Sequence, residues 1–429
     1  MARVTFTTMY DTTMRNLQRN ANKKNSIDEQ IISQSRLNRP SDDPVGFTNA
    51  MSHRNTLSSL GQQITNMNDG GVYMNVLETT YASMNNIFER CSELAVSSAN
   101  DTQKHQERLF TNMEIRGNLE QLVSLAQTRH KEDYIFSGRW TNQPPYEIKN
   151  GIADYREAPR SLTTAGGTTW NPSDFTRPFQ DTEPITIQLI DSVYLDPNLK
   201  PNPDNPLAQR IIPGSVTGLN GLQEKSHVVP PDDPTVLPDY EIDYVSGKLT
   251  LLSENAKAAF YDGITGTLKP KDQFPNMDFE YIYRNSIDMS GEIYREVDTG
   301  IIMKINSNPD TLFGKDGVQQ TDSFKEIITL MQGLWYNDQA EISRSIDTVD
   351  TARKRTLAEQ AIEGGRLNRV EIVYDRNKEL EVVNEDAKSK IEGVNLEEII
   401  PEFSLADAVY NASLQSAARL MQNSLLNYI

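Results

Sequence analysis

Residues 5–47 read TFTTMYDTTMRNLQRNANKKNSIDEQIISQSRLNRPSDDPVGF, and this stretch decides the fold. Thr5–Asn38 holds no proline and no glycine, and its larger apolar residues Phe6, Tyr10, Leu17, Ile27 and Ile31 fall at helical spacing. Asn38-Arg39-Pro40-Ser41-Asp42-Asp43-Pro44 then stops the helix and restarts it. Pro40 pushes Arg39 out of the α region, so the first helix is expected to end there. Asp43 suits an N-cap, and Pro44 suits the first helical position, where a missing N–H costs nothing. One long helix therefore ends, turns sharply and hands over to another.

The seam of that first helix is thin. A heptad frame through Phe6, Thr13, Asn20, Ile27 and Gln34, with Tyr10, Leu17, Lys24 and Ile31 alternating, is about half polar. Such a helix is marginal alone in water, so it calls for partner helices from the same chain or from neighbouring copies. The ends of the chain are accordingly expected to be largely disordered in a free monomer and to fold on assembly.

The pattern continues outward from this stretch. From Val45 to about Asn100, Leu57, Leu60, Ile64, Met67, Gly71, Met74, Tyr81 and Phe88 follow a three-and-four alternation, the coiled-coil signal, and the frame slips where Glu78 and Asn85 fall on it. A third helix is expected over about 103–130. Cys91 sits at helical spacing among Phe88, Leu94 and Ala95 and reads as a small core residue. Tyr134-Ile135-Phe136-Ser137-Gly138 reads as a short strand closed by glycine.

Seventeen of the 21 prolines lie between Pro144 and Pro275, which marks a change of domain on each side. Strand signals appear in the same region. Ile185, Ile187 and Leu189 alternate, Ile242–Leu251 reads as a hairpin about Ser246-Gly247, and Phe279, Tyr281 and Tyr283 alternate. Residues 292–306 read as strand. Helical spacing resumes with Phe324, Ile327, Ile328, Met331 and Trp335, then over about 338–392. Pro401 breaks or kinks the last helical segment near its start. Residues 404–427 are rich in alanine and serine, with Leu420, Leu425 and Leu426 on the apolar side.

The fold class expected is mainly α with an inserted β domain. Long N- and C-terminal helices pair in a coiled-coil-like bundle, and the β-rich insert projects from it. The expected division is 1–40 (N-terminal helix pairing with 402–429), 41–142 and 286–400 (the two parts of a helical bundle), 143–285 (insert) and 402–429 (C-terminal helix).

Composition excludes several classes. The chain has 429 residues, 37% hydrophobic content, a mean hydropathy of -0.58 and a net charge of -18. No apolar run is long enough to span a membrane. The first residues lack the basic-then-apolar pattern of a cleaved secretory signal. No basic block offers a nucleic-acid face. One cysteine rules out an intramolecular disulfide framework. His53, His105, His130 and His227 are scattered, no phosphate-binding glycine loop is present, and no catalytic, cofactor or metal constellation is expected.

The terminal motifs carry a resemblance. The first helix with Asn38–Pro44, Tyr134-Ile135-Phe136-Ser137-Gly138, and Leu425-Leu426-Asn427-Tyr428-Ile429 resemble the flagellar hook-associated protein 3 family of hook–filament junction proteins, in the flagellin superfamily. The likeness covers roughly residues 1–145 and 290–429. It implies a structural, non-enzymatic subunit secreted through the flagellar type III export apparatus with a chaperone. It also implies a homo-oligomeric ring or helical zone in the extracellular flagellum, between hook-associated protein 1 and flagellin. Asn38, Arg39, Pro40, Ser41, Asp42, Asp43 and Pro44 would act in assembly; Phe6, Tyr10, Leu17, Ile27, Ile31, Leu420, Leu425 and Leu426 would pack the terminal helices. Two alternatives stand beside it. One is flagellin itself, which shares the architecture but usually lacks Pro-Ser-Asp-Asp-Pro. The other is a filament protein whose insert, with Tyr240, Tyr244, Tyr281 and Tyr283, binds carbohydrate or acts as an adhesin.

Overall fold

The uninterrupted helical spacing of the N-terminal stretch forms α1 (Phe6–Ser33). In the computed structural model, residues 6–100, 102–152, 184–189, 210–219, 221–225, 238–262, 267–270, 273–284, 291–314 and 322–426 are described, with backbone alone at 6–7, 152, 188 and 420–426. α1 stops at Ser33, well before the end expected at Arg39. Gln34 takes a left-handed φ of +50°. The next residues leave the helix to pair with backbone elsewhere, which a continuing helix would forbid. α2 (Pro44–Ser98) then runs for 55 residues, and α3 (His105–Ala126) follows.

The chain next forms a two-stranded ribbon, β1 (Arg129–His130) with β2 (Asp133–Tyr134). The middle region contributes β3 (Tyr146–Ile152), β4 (Ile185–Gln188), β5 (Arg210–Ile211), β6 (Tyr240–Asp243), β7 (Lys248–Leu251), the short helix α4 (Glu254–Phe260) and β8 (Asp278–Arg284). They make two antiparallel sheets, ordered β3-β8-β5 and β4-β7-β6. Tyr146 faces Arg284 in the first, and Ile185 faces Leu251 in the second. The expected hairpin is β6–β7. The Asp243 carboxylate accepts from the N–H groups of Val245 (3.1 Å) and Ser246 (3.2 Å) in its turn. β9 (Tyr294–Asp298), β10 (Ile301–Lys304), α5 (Pro309–Leu312), α6 (Ser323–Trp335), α7 (Gln339–Glu392) and α8 (Leu396–Leu426) complete the order. The fold is mainly helical, with long terminal helices and small β-sheets between them.

α8 starts earlier than the helix expected from 402, and Pro401 lies inside it. Asn395 supplies the start: its Oδ1 accepts from the Glu397 N–H at 3.1 Å. Pro401 therefore removes one backbone hydrogen bond inside a helix already begun, instead of beginning a new one.

Two compact units result. The first comprises Met1–Asn68, Glu296–Ile301 and Glu371–Ile429, the second Asp69–Arg295 and Ile302–Val370. The second holds one continuous apolar core. Leu77, Tyr81, Met84 and Phe88 of α2, Ile115, Leu119 and Leu122 of α3, and Ile327, Ile328 and Met331 of α6 belong to it. So do Ile187, Leu249, Leu251, Phe260 and Tyr281 from the sheet region. The described strands of 143–285 bury apolar residues in the same core as the helices. Buried Glu224 ties sheet to helix, accepting from Tyr244 Oη (2.6 Å), Tyr336 Oη (3.0 Å) and Trp335 Nε1 (3.2 Å). Cys91 is fully buried in this core, and burial pushes its thiol up to about 12, so it stays an inert thiol.

Candidate assembly surface

The turn after α1 is built from local hydrogen bonds that its residue types dictate. Asp42 Oδ2 accepts from the N–H groups of Arg39 (2.9 Å) and Asn38 (3.2 Å). The Asp42 N–H returns to the Arg39 carbonyl at 3.0 Å, closing a tight turn with Pro40 and Ser41 at its centre. Asp43 Oδ1 accepts from the Gly46 N–H at 3.0 Å, the N-cap bond, and α2 begins at Pro44. Gly46 is required here: a Cβ would collide with the Asp43 carboxylate and press on Leu37 Cδ1 at 3.3 Å.

The same turn is fastened to the end of α7. The Arg36 N–H donates to the Glu392 carbonyl at 2.7 Å, Arg36 Nη2 donates to the Ile391 carbonyl at 3.1 Å, and Ser35 bridges antiparallel to Gly393. Leu37 is buried beneath it. Sequence reasoning missed this fastening. Its signal was Gly393, directly after the helical spacing ends: a side chain there would strike the Ser389 carbonyl, so only glycine closes α7 this way. Asn38, Arg39, Pro40, Ser41, Asp42 and Pro44 are exposed, and Asp43 is half-buried. Arg39 reaches back to Glu29 at 2.9 and 3.0 Å, and a polar groove lined by Asn22, Asn25, Glu29, Gln30, Asn38 and Arg39 opens beside the pair.

α1 and α8 pack antiparallel. Asn20 Nδ2 donates to Ser413 Oγ at 2.7 Å, Lys24 pairs with Asp407 at 2.6 Å and Lys23 with Glu402 at 3.2 Å. Lys24 lies over the rings of Phe403 (5.8 Å) and Tyr410 (5.6 Å), and the Asp407 hydrogen bond raises its pKa above the ordinary value. The apolar yield is small: Ile27, Ile399 and Ala406 are buried, and Ile31, Val394 and Phe403 pack against them. Leu17 is half-buried and Tyr10 is 36% exposed. Met9, Met14, Leu405, Val409 and Leu414 are also exposed. The side chains of Phe6, Leu420, Leu425 and Leu426 lie outside the described residues.

The long helices α2 and α7 carry polar cross-links. In the first unit, His53 meets Asn384 at 2.9 Å and Asn377 meets Gln63 at 3.2 Å; in the second, Asn85 donates to Gln360 at 2.6 Å. Such pairs fix helix register, as a polar residue at a seam position does in a coiled coil.

No exposed aromatic platform comes from the four tyrosines weighed as a carbohydrate site. Tyr240, Tyr244 and Tyr281 are buried, and half-buried Tyr283 is covered by Lys149 at 3.7 Å. Among the described residues no group of three or more His, Cys, Asp or Glu is placed to hold a metal ion, and no helix is long and apolar enough to cross a membrane.

A long-helix subunit with its two terminal helices paired, a tight proline turn after the first, and a small-sheet region in between is the class that this geometry defines. Residues 4–141 match the family described as the bacterial flagellin N-terminal helical region. Flagellin A of Helicobacter mustelae is 31% identical over 121 residues, which is 28% of this chain and 24% of that protein. Flagellin of Halalkalibacterium halodurans is 29% identical over 114 residues, 27% of this chain and 42% of that one. The match therefore spans less than half the length of either relative. Among solved structures, a putative flagellar hook-associated protein from Vibrio parahaemolyticus is 13% identical with a TM-score of 0.45, covering 82% of this chain and all of that one. Flagellar hook-associated protein 3 from Legionella pneumophila is 14% identical with a TM-score of 0.37, covering 80% and 98%.

Proposed function

We propose that this chain is a structural subunit of the bacterial flagellum, and within it a junction protein joining hook to filament. The observation that carries the flagellar assignment is the match of residues 4–141 to the flagellin N-terminal helical region. The junction assignment rests on Pro40-Ser41-Asp42-Asp43-Pro44 and its resemblance to the hook-associated protein 3 family. In this reading Asn38–Pro44 and the apolar residues of the terminal helices are assembly positions. The protein forms a homo-oligomeric ring or zone with hook-associated protein 1 and flagellin as neighbours, and reaches the extracellular flagellum by type III export with a chaperone. The division at about 40, 142, 285 and 400 is part of the same reading.

The mechanism is structural. α1 and α8 bury only a narrow apolar strip against each other and leave Met9, Tyr10, Met14, Leu405, Val409 and Leu414 exposed. Neighbouring copies would cover these side chains, and at about 25 cal/mol per Å² their burial stabilises both the helices and the contact between subunits. The turn at Asn38–Pro44, tied to the end of α7, holds α1 at a fixed angle to α2 while this happens.

The second reading is flagellin, favoured by the names of the relatives that match. Immunogold electron microscopy on detached flagella, with antibody to residues 143–285, separates the two. Label confined to the hook–filament boundary is the expected result. Label along the whole filament would establish flagellin and overturn the junction assignment.

A further inference from the structure

The contact between α1 and α8 holds a cation in its seam. On α8, Phe403, Asp407 and Tyr410 stand four and then three residues apart, so they share one face. Lys24 of α1 rests on all three. Its Nζ donates to Asp407 Oδ1 at 2.6 Å and lies 5.8 Å from the Phe403 ring centre and 5.6 Å from that of Tyr410. The Lys24 side chain is 28% exposed, against 64% for Lys23 beside it, so Lys24 is the one turned into the contact. One turn earlier, Asn20 Nδ2 donates to Ser413 Oγ at 2.7 Å. One turn later the contact becomes apolar, with Ile27 and Ile31 against Ile399, Phe403 and Ala406.

The two ends of this contact differ in what they accept. The Ile27–Ile31 end takes any apolar helix face of suitable shape. The Lys24 end is satisfied by a partner that brings a carboxylate; a partner without one strips water from the ammonium and returns no acceptor. Stability does not require the cation, because apolar side chains that replace such a pair are often as good or better. A polar residue in a seam is instead the device that decides which helix pairs with which. A second α1 cannot supply the cradle. The aromatic–acid–aromatic spacing of Phe403, Asp407 and Tyr410 is repeated in none of the helices α1–α7.

We propose that Lys24 selects the partner of α1. Seated on Phe403, Asp407 and Tyr410, it admits an α8 helix and turns away a second α1 or a helix with a wholly apolar face. The need for selection rests on the assembly reading, in which many copies bring their terminal helices together.

The test is disulfide mapping of the full chain carrying Asn20→Cys and Ser413→Cys, at a concentration where the unsubstituted chain self-assembles. Cys91 is buried and inert and stays in place. Peptide mapping counts α1–α8 links (20 to 413) against α1–α1 links (20 to 20), and the α1–α8 link should predominate. Adding Lys24→Met with Asp407→Met should keep the helices, by circular dichroism, and raise the share of α1–α1 links by up to about fivefold, the range open to a partly exposed pair. Lys24→Glu with Asp407→Lys should restore the original ratio, and Lys24→Glu alone should not. Self-assembly with an unchanged ratio in the paired methionine variant, or a charge exchange no better than the single reversal, overturns this inference alone. Failure of the unsubstituted chain to self-assemble would remove the assembly reading, and this inference with it.

Discussion

The two units of this chain solve the burial problem in opposite ways. The second closes a core around fully buried Leu77, Tyr81, Phe88, Leu119, Phe324 and Met331, with strands and helices sharing it. The first contains the terminal pair, where, among the described residues, Ile27, Ile399 and Ala406 are the buried apolar ones and Leu405 is 65% exposed. The second unit has the burial of an independently folding domain. The terminal pair has the burial of half an interface, since an amphipathic helix with a thin stripe gains most of its stability from the surfaces packed against it. On the proposed reading, stability and assembly are assigned to different parts of one chain.

The largest effect that sharpens this contrast is all-or-none. Deleting residues 404–429 removes most of α8, and should abolish incorporation into flagella while leaving the near-ultraviolet circular dichroism of the second unit in place. Loss of that signal on deletion would mean the units are not energetically separate.

Point substitutions divide in the same way. Phe324→Ala, at a fully buried site, should destabilise the monomer by about 3–5 kcal/mol in urea unfolding. Leu405→Ala should change monomer stability by less than about 0.5 kcal/mol and instead raise the concentration needed for polymerisation. Equal monomer costs would break the comparison.

A smaller effect is set by pH within the second unit. The Glu363 side chain is 1% exposed and paired with Arg366, and burial pushes its carboxyl from 4.5 up to about 7. The folded state thus holds this proton to higher pH than the unfolded chain. The resulting stability is complete below about 4.5 and is lost as pH rises through about 7. Glu363→Gln keeps the neutral form at every pH. It should match the parent at pH 4 and exceed it by about 1–3 kcal/mol at pH 8, read from urea midpoints.

Asp43→Ala is the most local. Losing the N-cap bond to Gly46 should cost about 1 kcal/mol and fray the first turn of α2, visible as faster amide exchange at 45–47.

Legibility in the sequence tracked the range of the interactions. The restart of the helix at Pro44 and the β6–β7 hairpin could be read because Asp43, Pro44 and Ser246-Gly247 act within a few residues of themselves. The end of α1 could not, because Arg36 leaves the helix for the Glu392 carbonyl, near the other end of the chain. β3 was not read because its partner β8 lies more than 120 residues away in the chain. α4, seven residues long, is too short for helical periodicity to show. The Arg210–Asp322 pair joins residues 112 apart, and no local pattern announces it.

Completion of the terminal helices by neighbouring copies is read from hydrogen exchange on the verified monomer and on the assembled protein. Fast exchange across α1 and α8 in the monomer, slow exchange across the α2, α3 and α6 core, and strong protection of α1 and α8 after assembly are expected. Terminal helices already protected to the level of the core in the monomer, and unchanged by assembly, would contradict it.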